Sequence, residues 1–130
     1  MSPKVDWENV CDEILGVGGQ ATEYVYLGTE NGKMGEKDIS GRFRKFSEEE
    51  ASIIANSNGS NFQFRGEEHR FVRNEDEIFF YESFTRKLAY GKISKYILIV
   101  CGHGHYQSKV FNRCHKALRF GLNYIKTLEY

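Results

Sequence analysis

Cysteine and histidine crowd one short stretch of this sequence. In VCGHGHYQSKVFNRCHKAL, Val100 to Leu118, Cys101, His103 and His105 alternate, and Cys114 and His115 follow. Alternation along a continuing strand puts side chains on one face, and a thiolate with imidazoles is the ligand chemistry that holds zinc. The spacing argues against it. Structural zinc sites favour paired short spacers such as C-x2-C and H-x3-H, and Gly102 and Gly104 end the strand before His105 aligns. A nucleophilic thiolate needs a base oriented by a third group, whereas Cys101 closes the apolar run from Tyr96 to Val100 and reads as a buried, inert thiol. GHGH lacks the G-x-x-x-x-G-K-[ST] pattern of a phosphate cradle, and Gly16-Val17-Gly18-Gly19 follows a helix where a dinucleotide fingerprint needs a strand. The acidic run Glu48-Glu49-Glu50 suits a helix amino terminus and its dipole better than acid–base catalysis. The expectation is a chain that is not an enzyme, with no metal and no cofactor, whose cysteine- and histidine-rich corner serves another purpose.

The elements that hold this corner follow from periodicity. Asp6 caps a first helix over Trp7–Leu15, with Trp7, Val10, Cys11, Ile14 and Leu15 at helical spacing before Gly16, Gly18 and Gly19. ATEYVYLG, the turn dipeptide Asn31-Gly32 and the polar stretch from Met34 read as a hairpin. Ser47 with Glu50 is a capping box, and ASIIANSNG gives a two-turn helix closed by Asn58-Gly59. NFQFRG, EHRFVRNE, DEIFFYES and AYGKISKYILIVCG hold most of the aromatic and β-branched residues and predict four sequential antiparallel strands. After Ser108 the residues Val110, Phe111, Cys114, Ala117, Leu118, Leu122 and Ile125 recur every three or four positions, which predicts a long amphipathic helix with a basic outer face.

At 130 residues the chain is expected to form one domain, 1–130, large enough for a core. Its 18 Lys and Arg against 18 Asp and Glu give no bulk attraction to DNA or anionic lipid. Placement is uneven, because Lys95, Lys109, Arg113, Lys116, Arg119 and Lys126 face the single anion Glu129 after position 94. Three cysteines cannot all pair within one chain, and no apolar stretch of secretory type follows the amino terminus, so a cytoplasmic address is expected. The longest apolar run, Tyr96–Cys101, falls far short of the ~20 residues that cross a bilayer. A basic helix with Tyr106, Tyr124 and Tyr130 available for stacking admits a nucleic-acid reading. Against that reading stand a pI near 6.9, the acidic clusters and the lack of a standard nucleic-acid motif.

Several strings in their order resemble profilins, the small actin-monomer-binding proteins. VDWENVCDEIL resembles the family's opening helix and FSEEEASII its short capped helix. FRGEEHRFVRNED and GKISKYILIVCG resemble two of its strands, and VFNRCHKAL resembles the start of its final helix. The resemblance runs from Trp7 nearly to the end of the chain. It implies an α+β fold: a central antiparallel β-sheet with the amino- and carboxyl-terminal helices on one face and short helices on the other.

It also implies a docking face for monomeric actin, and through it regulation of actin polymerisation in the cytoplasm and cytoskeleton. On that face would lie Phe71, Arg73, Tyr106, Gln107, Lys109, Val110, Asn112, Arg113 and Lys116, with Tyr106 and Val110 as apolar anchor and the cations as rim. A groove for proline-rich proteins would use Trp7, Val10, Met34, Leu122 and Tyr130. That groove is eroded, since Val10 and Met34 stand where the family has aromatics and Gly121 where it has a histidine. Glu82-Ser83-Phe84 replaces a basic stretch after Tyr81, which weakens the expectation for the actin or lipid contacts made there, although Arg86 and Lys87 lie close. The order of expected partners is monomeric actin first, then proline-rich proteins and phosphoinositides; the alternative is a nucleic-acid-binding domain built on the basic final helix.

Overall fold

The first helix begins where Asp6 accepts a hydrogen bond from the Asn9 backbone N–H at 3.2 Å, satisfying one of the donors that every helix start leaves unpaired. The computed structural model describes residues 5–19, 22–39, 45–103 and 107–128, without the side chains of 103 and 107–109. In chain order the elements are α1 (Trp7–Gly18), β1 (Tyr24–Thr29), β2 (Gly32–Asp38), α2 (Glu48–Ala55), β3 (Phe62–Phe64), β4 (Glu67–Glu75), β5 (Ile78–Glu82), β6 (Arg86–Ile93), β7 (Tyr96–His103) and α3 (Gln107–Leu128). Helix α1 continues past the glycine expected to stop it. The capping box of α2 is complete, with the Ser47 N–H donating to Glu50 at 2.9 Å and the Glu50 N–H to Ser47 Oγ at 3.1 Å. That helix ends at Ala55, while Asn58 and Gly59 shape the loop beyond it, at φ 46° and 92°.

The strands form one antiparallel sheet in the order β2-β1-β7-β6-β5-β4-β3. Alternation divides it into two cores. Val25, Leu27, Phe80, Ala89, Leu98 and Val100 face α1 and α3, while Tyr24, Tyr26, Tyr81, Leu88, Tyr90 and Ile99 face α2 and Phe46. Covering both faces explains why the central strands are buried without interruption. This is the α+β arrangement expected, with the terminal helices on one side and the short helix on the other. The strand expected over 89–102 is two strands. The chain reverses at Ser94-Lys95, with Ser94 in the left-handed region at φ 52°; the pair carries neither Gly nor Asn, so the sequence gives no turn signal there. No helix among the described residues is long and apolar enough to cross a membrane.

A buried polar cluster locks the outer strands. His69 is fully buried, stacks on Phe62 at 5.1 Å, and lies 3.2 Å from the Glu67 carbonyl through Nδ1 and 3.3 Å from Arg86 through Nε2. Arg86 can only donate, so Nε2 accepts and Nδ1 carries the proton toward the carbonyl. Burial holds the His69 pKa below its usual 6.5, and the Arg86 charge adds to that. The unfolded chain therefore takes up a proton that the folded chain refuses. The stabilisation is complete above about pH 6.5 and declines as pH falls below it. Thermal unfolding between pH 7.5 and 5 should show Tm falling with acidity, and His69→Gln should flatten that slope. Equal slopes would remove His69 as the cause.

Candidate functional site

The thiols are separated by the sheet. Cys101 belongs to the core under α2 and Cys114 to the core under α3, so a strand-to-helix zinc site cannot draw on both. Burial pushes the Cys11 and Cys101 thiols up to about 12, and the Cys114 thiol higher still. They are protonated packing groups. His105 lies outside the described residues, as does the His103 side chain.

His115 turns instead to Asp76, with Nε2 3.2 Å from Oδ2, and Arg119 donates to the same oxygen at 3.2 Å. Glu75, Asp76 and His115 place one donor atom each within 4.8 Å of one another. Arg73 and Arg119 already pair with the two carboxylates, so the group is an ion-pair cluster that ties the β4–β5 turn to α3.

A β-bulge shapes the face beside this cluster. Phe71 pairs with Tyr81 but Arg73 pairs with Phe80, leaving Val72 as the extra residue in β4. Two residues that simple alternation puts on one face are thereby sent to opposite faces. Phe71 stands 5.7 Å from Tyr81 and 6.3 Å from Phe79 on the α2 side. The Arg73 guanidinium lies 4.7 Å above Phe80 and 5.8 Å from Phe111 on the α3 side.

Lys87, only 8% exposed, reaches within 5.0 Å of the Phe111 ring and pairs with Glu82 at 3.3 Å. Phe111 meets Phe80 edge-on, at 5.5 Å and 90°. These contacts fix the first half of α3, whose outer face carries Asn112, Arg113 and Lys116 in the open. Neither Arg113 nor Lys116 has an ion-pair partner among the described residues. Together with Asn112 and His115 they line a surface hollow of about 540 Å³.

Of the residues expected at the docking face, the structure brings together Arg73, Asn112, Arg113 and Lys116. Phe71 is separated from them by the bulge. Val110 is fully buried, because it starts the apolar stripe of α3, so it cannot serve as a surface anchor. Gln107 and Lys109 belong to the first turn of α3 but their side chains are outside the described set, and Tyr106 lies outside it altogether. Sequence reasoning missed Lys87, Phe111, His115 and Asp76 as parts of this face. No local pattern marks them, since their partners come from four different elements.

The proline groove is reorganised. Trp7 packs against Tyr96, ring centroids 5.4 Å apart, and with Val5 and Met34 it lines a hollow of about 370 Å³. Met34 is exposed, but Val10 is buried and Leu122 lies over Gly91 on the sheet; Tyr130 is outside the described residues. A Cβ on Gly121 would stand 2.5 Å from Leu98 and 2.8 Å from Ile14. The space of a side chain there is occupied by the contact between α1, α3 and β7. Gly121→Ala should therefore destabilise by about 1–3 kcal/mol despite alanine's better helix propensity, measured by urea unfolding; a neutral or stabilising result would show that the helices separate freely.

No protein-family model matches the sequence, and no curated protein matches it. Solved structures do. Profilin IA of Acanthamoeba castellanii superimposes with a TM-score of 0.70 at 16% identity, covering 96% of this chain and 100% of that one. Profilin II of the same organism gives 0.66 at 20% identity, over 91% and 98% of the two chains. Profilin IB gives 0.62 at 17% identity, again over 91% and 98%. The fold of this chain is the profilin fold.

Proposed function

We propose that this protein binds monomeric actin through the α3 face and thereby regulates actin polymerisation in the cytoplasm, acting by association without chemistry of its own. The observation that carries this reading is the pair Arg113 and Lys116, exposed and without ion-pair partners among the described residues, on a helix held rigid by Arg73, Phe80, Lys87 and Phe111. Free cations on a fixed frame steer an acidic globular partner at little entropic cost. The fold shared with profilins supports the choice of partner.

Proline-rich proteins take a lesser place in this reading. An aromatic ladder grips a polyproline helix by stacking, and here Trp7, half-buried beside the exposed Met34, is the one aromatic among the described groove positions. Phosphoinositide headgroups would compete for the same cations that steer actin.

Titration of labelled monomeric actin tests the proposal. Arg113→Glu combined with Lys116→Glu should abolish association while moving stability by less than about 0.5 kcal/mol. Raising salt should slow association of the unmodified protein more than it speeds dissociation. Undiminished binding by the charge-reversed variant refutes the site. A gel shift with mixed oligonucleotides at physiological salt, alongside silence toward actin, would hand the face to nucleic acid.

A further inference from the structure

Val110 is buried and Tyr106 lies outside the described residues, so the described part of the α3 face shows neither of the apolar anchors expected there, and a protein interface of this kind is built around one. The β5–β6 turn supplies one. Phe84 is 96% exposed, more than any other large hydrophobic residue of the described set. Its backbone is pinned on both sides. The Ser83 N–H donates to the Arg86 carbonyl at 2.9 Å and the Arg86 N–H to Ser83 Oγ at 3.2 Å. The Thr85 N–H and hydroxyl donate to the Glu67 carboxylate at 3.2 and 2.7 Å, and Arg86 stands 3.4 Å from that carboxylate. An aromatic ring held out on such a turn has two side-chain torsions to lose and no loop to order when a partner buries it.

The turn leads into β6, the strand that supports the α3 face through Lys87. Arg86 pairs with His103, the last residue of β7 before the connection to α3, and Lys87 reaches the Phe111 ring. We propose that Phe84 is the apolar anchor of the docking face, seating in a hydrophobic socket on the partner while Arg113 and Lys116 steer the approach. This rests on the reading above, in which the partner is monomeric actin. A bilayer is the weaker occupant. The charges flanking the turn are paired, Arg86 with Glu67 and both Lys87 and Arg70 with Glu82 at 3.3 and 3.7 Å, so among the described residues of the face Arg113 and Lys116 are the cations left unpaired, short of the roughly four to eight that hold an anionic membrane.

The test compares the unmodified protein, Phe84→Ala, Phe84→Trp and the Arg113→Glu/Lys116→Glu pair against labelled monomeric actin, with thermal unfolding as the folding control. Phe84→Ala should weaken binding about thirtyfold, mainly through faster dissociation, with Tm unchanged. Phe84→Trp should keep affinity within about threefold, and the introduced indole should shift its emission to the blue on actin binding as it leaves water. Binding by the unmodified protein that survives Phe84→Ala overturns the anchor and leaves the docking face standing. Failure of the unmodified protein to bind actin overturns the docking reading itself. Phosphatidylserine vesicles form the last arm: binding to them that depends on Phe84, with actin binding indifferent to it, overturns the proposal in favour of a membrane.

Discussion

Everything on the candidate face depends on how α3 is seated. Val110, Cys114, Ala117, Leu118 and Ile125 are all buried against the sheet and α1, and their spacing leaves one rotation of the helix possible. Turning it by one position would carry Arg113 or Lys116 toward the core, where burying an unpaired charge costs far more than new packing could offset. Gly91 lets Leu122 settle close to β6 and Gly121 lets α1 and β7 approach. The apolar stripe thus decides where the cations point.

The cations then divide by role. Arg73 and Lys87 lie over aromatic rings and pair with acids, so their charge is largely engaged inside the fold and their stems add packing area. Arg119 is committed to Asp76, whose turn has both Asp76 and Glu77 in the left-handed region at φ 54° and 64°. Such backbone costs roughly 1–3 kcal/mol at each residue, more than the half-exposed Arg119–Asp76 pair contributes. Arg113 and Lys116 are left to act outward. A count of positive residues along the helix does not separate these groups; their neighbours do.

The opposite side of the molecule follows a different rule. There α1, α3 and β7 are in contact at Gly121, and among the described residues the aromatic groove keeps one tryptophan beside a methionine. Tight helix contact and an open aromatic groove compete for the same space. In this chain the contact has won.

The elements and their chemistry were legible in the order of residues alone. The Asp6 cap, the Ser47–Glu50 box and the apolar stripe of α3 are all written in local spacing, because capping and amphipathicity act within a few residues. The resemblance carried by short strings from Trp7 onward implied the arrangement of helices about the sheet, and the fold agrees with it. Other features exist only once the chain has folded. The reversal at Ser94-Lys95 has no Gly or Asn to announce it, and the bulge at Val72 breaks the alternation that would keep Phe71 and Arg73 together. Phe84 stands exposed on its turn, since whether a side chain is buried depends on what folds over it. Contacts between residues far apart in the chain set those outcomes, and no local pattern encodes them.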